Sequence, residues 1–272
     1  SDAKGYRWLT VRLLYLASIL QYDLTNYSRA VEFAERSFSL AQETNDVVGQ
    51  LNALGSLIEY YRFLSYFDKS LAHVQHGLSL LGSTTLDPIQ GCRIYGFVAR
   101  SFAAAGWYEA DAAYQQEALQ YALNTERPAT VSTNLAFLSE IETKLKKFNE
   151  ALADAKRAFE VVETDAADAA AKDRMAYASL QLGHVYRQSG SCDKAIESYD
   201  RAIKLYHEVD YYTQIYQGHK GRLLCYLAQG DDARAEQEMK TAIDLVESYR
   251  EKIFEDTNRE TFFDAEQSVY DL

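Results

Sequence analysis

Proline and cysteine are scarce in this sequence, and each shortage excludes something. Two prolines, Pro88 and Pro128, and 13 scattered glycines in 272 residues supply too few turns for a β-sandwich or barrel, so the composition leans towards helices. The three cysteines, Cys92, Cys192 and Cys225, are odd in number and far apart, with no CxxC pair. Neither a disulfide framework nor a zinc knuckle is indicated, and a reducing cytoplasm is the expected compartment. No apolar run approaches the roughly 18 residues a membrane span needs, so no membrane partner is expected. Basic residues are also short: the net charge is −12, a field that repels phosphate backbones and argues against nucleic-acid binding. The sequence contains no GxGxxG, no GKT or GKS and no GxSxG, so it offers no phosphate cradle and no nucleophile elbow. No catalytic residue, cofactor or metal site is expected. The chain starts Ser1-Asp2-Ala3-Lys4-Gly5 rather than with methionine, and the expectation is a piece of a longer protein.

What is present is repetition. The clearest unit runs Leu182-Gly183-His184-Val185-Tyr186, then Gly190, then Ala195 with Tyr199 and Ala202. Small residues at Gly183, Ala195 and Ala202 would let two antiparallel helices approach closely, with Tyr186 and Tyr199 filling the space between them. The small residue opening each second helix recurs as Ala30, Ser70, Asp111, Ala151, Ala195 and Ala235, at steps of 40, 41, 40, 44 and 40 residues. An aromatic residue stands three before four of these markers, at Tyr27, Phe67, Tyr108 and Phe148. The pattern resembles the tetratricopeptide repeat (TPR), in a long variety whose step exceeds the usual ~34 residues. The resemblance implies an all-α TPR superhelical solenoid of about six helix-turn-helix repeats, which buries its core by stacking neighbours. First helices are expected near 4–22, 47–64, 88–105, 128–145, 168–189 and 211–229. Second helices are expected near 26–44, 66–82, 107–125, 147–164, 191–207 and 231–254. Pro88 and Pro128 fall at helix starts, where a missing N–H costs little. The one 44-residue step comes from the Ala/Asp-rich stretch 164–172.

After the sixth repeat come Glu247 and Arg250, then Arg259, Phe262-Phe263, Gln267 and Val269-Tyr270. This order resembles the segment that closes the TPR array ahead of the caspase-like peptidase domain in bacterial CHAT-domain proteins. The resemblance implies a sensing or regulatory array, residues 1–256, followed by a capping helix or linker at 257–272, with a peptidase domain beyond Leu272 in the same polypeptide. A stand-alone TPR adaptor or peptide-sensing regulator is the alternative, and an enzyme on a helical scaffold is disfavoured.

His76-Gly77 superficially resembles a caspase-type His-Gly, but it lies inside an expected second helix and reads as packing. His73 and His76 share a helix face without a third ligand nearby. Most of the 21 tyrosines read as packing residues. First helices line the concave face of a TPR stack, so the repeat register nominates a binding groove. Its candidates are Asn52, Arg62, Arg93, Arg100, Lys144, Tyr177, Gln181, His184, Arg187 and Lys220, with Glu59 and Glu140 as the only acids. Six basic side chains against two acids reverse the sign of the whole chain. The expected partner is therefore a protein or peptide, acidic or carboxylate-terminated, held by arginines with Asn52 and aromatics along its backbone.

Overall fold

The structure is a computed structural model that describes residues 6–24, 26–81, 85–164, 168–209 and 212–250. The expected cap at 257–272 lies outside the described residues. Twelve α-helices and no strand occur among them: α1 Arg7–Asp23, α2 Tyr27–Glu43, α3 Val47–Phe63, α4 Phe67–Leu81, α5 Pro88–Ala104, α6 Tyr108–Leu123, α7 Pro128–Lys144, α8 Phe148–Glu163, α9 Ala169–Gln188, α10 Cys192–Glu208, α11 Tyr212–Gln229 and α12 Asp232–Arg250. By their internal contacts the described residues fall into two compact units, one ending at Tyr121 and the other beginning at Ala122. Within each unit, consecutive helices pair and odd-numbered helices pack on the next odd-numbered one, as α3 on α5 and α7 on α9.

The turn inside each described hairpin is closed the same way. Ser65, Gly106, Lys146, Gly190 and Gly230 all adopt positive φ, between 60° and 84°. The following residue then donates its N–H back into the helix, as Tyr66 to the Tyr61 carbonyl at 2.8 Å and Ser191 to the Tyr186 carbonyl at 2.7 Å. These are Schellman closures, which satisfy carbonyls left open at a helix end. Helix starts are marked as well. Asp46, Asp87 and Asp168 accept from the backbone N–H groups of Gly49, Gln90 and Ala171 at 2.8, 2.9 and 3.1 Å, each an N-cap. Pro88 and Pro128 open α5 and α7. The Ala/Asp-rich stretch 164–172 runs into α9, which follows its N-cap Asp168 and is 20 residues long, against 17 for α3, α5 and α7.

All six small-residue markers, from Ala30 to Ala235, are buried. Ser70 and Asp111 sit where the pattern wants alanine, and Ser70 is accommodated because its hydroxyl donates to the Ile58 carbonyl at 3.0 Å. In the second unit Tyr199 is completely buried and walled by glycine. A Cβ on Gly183 would stand 2.4 Å from its ring, and one on Gly221 2.3 Å, so only hydrogen fits at either place. Gly77 differs: it is buried, yet a Cβ there would meet nothing within 4 Å. Its smallness is not used for close approach.

Candidate binding cleft

The second unit carries a cleft of about 310 Å³ lined by three first helices. Helix α7 contributes Glu140, Thr143 and Lys144; α9 contributes Leu180, Gln181, His184, Arg187 and Gln188; α11 contributes Gln214 and Gln217. Four of the nominated residues, Lys144, Gln181, His184 and Arg187, therefore share one cleft. Tyr177 stands at its edge and donates from its hydroxyl to Glu140 at 3.0 Å. Lys220 is on α11, half-buried and outside the lining.

The cleft's polar groups are held from behind by the core. The Tyr199 ring is interior, but its oxygen reaches His184 Nδ1 at 2.9 Å and accepts from Arg187 Nε at 3.3 Å. While accepting from the guanidinium, that hydroxyl either donates to Nδ1 or accepts from it, according to the imidazole tautomer. Burial, and then the charge of Arg187, pull the His184 pKa down to about 4, so the ring is neutral at physiological pH. Burial alone would raise Glu140, but the charge of Lys144 and hydrogen bonds from Lys144 and Tyr177 outweigh it and hold the carboxylate ionised. The Lys144–Glu140 pair spans 3.0 Å. The cleft thus presents four carboxamides, a neutral imidazole, the Lys144–Glu140 ion pair, and an arginine whose Nε donates to Tyr199.

The first unit holds the other four nominated residues, in a network that is largely self-satisfied. Glu59 takes a bidentate bond from Arg62, at 2.6 and 3.1 Å, and a longer one from Arg100 at 3.4 Å. Burial pushes against its ionisation, yet the two arginines beside it bring its pKa down to about 2. Arg93 donates to the Tyr15 hydroxyl at 2.5 Å and to the Asn52 side-chain oxygen. The six-to-two excess of basic residues is consequently smaller in effect than the sequence suggested: Glu59 engages two arginines, and Glu140 engages Lys144. Counting charges along a helix face does not reveal which acids sit between which bases.

Sequence reasoning missed Thr143, Gln188, Gln214 and Gln217. The signal was available: seven residues beyond Gln181 is Gln188, and steps of three back from Lys220 reach Gln217 and Gln214, all on one helix face. His73 lies flat against Tyr61, with centroids 5.5 Å apart, and His76 meets Phe38 edge-on at 5.2 Å; both are packed against aromatics. Among the described residues no group of three or more His, Cys, Asp or Glu is placed to hold a metal ion. No helix there is long and apolar enough to cross a membrane.

Residues 176–207, the second part of α9 with α10, match the model of the tetratricopeptide repeat. The sequence matches no curated protein. Similar folds occur among solved structures. BtubC (BKLC) from P. vanneervenii is 21% identical with a TM-score of 0.61, the match covering 85% of this chain and 92% of that one. A Rap protein complexed with Competence and Sporulation Factor is 18% identical with a TM-score of 0.67, covering 97% and 75%. A Signal Transduction ATPase with Numerous Domains from Pyrococcus horikoshii, which has a tetratricopeptide repeat sensor, is 17% identical with a TM-score of 0.62, covering 96% of this chain and 40% of that one. Residues 176–207 are thus a tetratricopeptide repeat by sequence, and the chain around them has the all-α tetratricopeptide-type fold.

Proposed function

We propose that the chain is a non-catalytic scaffold that binds a protein segment in the α7–α9–α11 cleft. The observation that carries this reading is the lining itself. Gln181, Gln188, Gln214 and Gln217 offer both donors and acceptors, which is what an extended backbone needs for its alternating C=O and N–H groups. Arg187 supplies positive charge for an acidic side chain or a terminal carboxylate, with Lys144 shared between Glu140 and the ligand. Neutral His184 adds a polar contact without repelling either end of a peptide. A similar fold seen in complex with Competence and Sporulation Factor, and another serving as a sensor, support a regulatory role. The CHAT-like order of residues in the tail supports placing the array beside a peptidase domain in a longer cytoplasmic protein. The first-unit residues Asn52, Arg62, Arg93 and Arg100 are proposed as a separate polar surface for the same kind of partner.

The test is a peptide array followed by calorimetry on the best binder. Acidic or carboxylate-terminated peptides should be selected over basic ones. Arg187→Glu should weaken binding about ten- to a hundredfold, the scale of one or two charge-assisted hydrogen bonds. Gln217→Ala should weaken it by less, and Arg157→Glu on α8 should leave it unchanged. Equal loss at Arg187 and Arg157, or selection of basic peptides, would defeat the reading.

A further inference from the structure

Helix α1 is apolar on two opposite sides. Val11 and Ser18 are buried in the first unit, while Leu9, Leu13, Leu16 and Leu20 stand 39–57% exposed, with Tyr6 and Leu24 beside them at 63% and 53%. At 100° per residue the four leucines fall within about 60° of arc, opposite Val11 and Ser18. A helix apolar on both sides is one that is covered on both. Single exposed leucines need no explanation, but a continuous stripe does.

We infer that this stripe is a homodimer contact, in which α1 packs antiparallel against α1 of a second copy. Three observations favour a second copy as the occupant. The spacing 9–13–16–20 runs four, three, four, which reads the same from either end. Turned end for end, the helix sets Leu9 opposite the partner's Leu20 and Leu13 opposite the partner's Leu16, so every apolar contact meets another. Such 3–4 spacing is also the seam of antiparallel helix pairs. Charge agrees with the antiparallel sense. Arg12 lies in the N-terminal half of the helix and Asp23 at its C-terminal end, both exposed on one flank of the stripe. Antiparallel pairing puts these flanks on the same side of the pair and brings each Arg12 towards the partner's acidic end, whereas parallel pairing would put them on opposite sides of it. The area is sufficient too. Six large apolar side chains about half exposed offer on the order of 600 Å² per copy, hence about 1,200 Å² in the pair, the lower end for specific interfaces.

The inference is independent of the cleft, because α1 contributes nothing to its lining. Light scattering coupled to size exclusion, on the 272-residue chain from about 1 to 100 μM, spans the affinities such an interface provides. The expected mass rises to twice the 30.9 kDa of one chain. Leu13→Glu with Leu16→Glu should give a monomer of unchanged helix content, since both sites are solvent-exposed in the single chain. Leu227→Glu, at an exposed leucine of α11, should stay dimeric. A chain monomeric at every concentration would overturn the proposal and leave the stripe to a different occupant. So would a dimer that survives the double substitution, or one that Leu227→Glu also dissociates. Orientation is read by cross-linking: Leu13→Cys chains mixed with Leu16→Cys chains should join, and self-linked Leu9→Cys chains would overturn the antiparallel arrangement.

Discussion

Two helical glycines, alike in sequence, carry opposite expectations. A methyl at Gly183 would collide with the Tyr199 ring, and a ring with no exposed edge cannot give way cheaply. Gly183→Ala should therefore destabilise the fold by about 1–3 kcal/mol, the usual range for overpacking. Gly77→Ala meets open space and removes backbone entropy from a helix interior, so it should stabilise by about 0.5–1 kcal/mol. Urea denaturation of the two variants separates them by sign. A third residue makes stability depend on pH. Glu142 is 8% exposed, its Oε2 has no partner, and burial, reinforced by the charges of Asp154 and Glu150, pushes its pKa from 4.5 up to about 7. The folded state then holds this proton more tightly than the unfolded state does. Its contribution to stability is full below about pH 4.5 and is lost as the pH rises through about 7. Glu142→Gln should recover about 1–2 kcal/mol at pH 8 and almost none at pH 4. An equal gain at both pH values would show that ionisation is not the cause. His184 carries the opposite sign: its depressed pKa leaves stability intact above about pH 6.5 and withdraws it as the pH falls through about 4.

At the scale of elements, most of the fold was legible in the sequence. Ten of the twelve helices begin and end within about two residues of expectation in the repeat register; α1 starts at Arg7 where 4 was expected, and the last residues of the expected twelfth helix, 251–254, lie outside the described residues. The reason is that one small residue per hairpin fixes how near two helices can come, and its recurrence sets the period. The site was half legible. Charged positions could be placed on first helices, but which acid lies between which arginines depends on side-chain reach across helices, as Glu59 between Arg62 and Arg100 shows. The stripe on α1 went unread because the first copy lacks Leu-Gly and offered no register. The turns carry a testable element-level expectation. Of the five Schellman positions three are glycine, while Ser65 and Lys146 accept positive φ with a Cβ. Lys146→Gly should raise stability by about 0.5–1 kcal/mol, because the left-handed penalty of roughly 1–2 kcal/mol is partly offset by glycine's greater freedom when unfolded. A melting temperature that falls in this variant would mean the lysine side chain stabilises the turn by more than its backbone costs.

For the whole molecule, the net charge of −12 opposes any acidic ligand from a distance while Arg187 and Lys144 attract it on contact. These two effects separate by range. Raising ionic strength from about 10 to 150 mM shortens the Debye length from about 30 to 8 Å, screening the distant acids first. Association of an acidic peptide with the cleft should therefore quicken severalfold over this interval, and its dissociation should quicken as well, since contact pairs are also partly screened. Stopped-flow measurement at both salt concentrations distinguishes the rates. Association that slows with salt would place a dominant positive field around the site, contrary to the charge distribution proposed for it.

Tyr199 gives the cleft a fixed datum. Its ring is confined by Gly183 and Gly221, while its oxygen holds His184 and Arg187. The polar groups a ligand would meet are thereby surveyed from an interior landmark and not from the surface. Substitutions that shift this ring by a fraction of an ångström would register first as lost affinity, with the helices still intact. A screen for binding mutants would then collect glycines that no ligand touches, and a map of such mutants would trace the packing around one phenol instead of the outline of the partner.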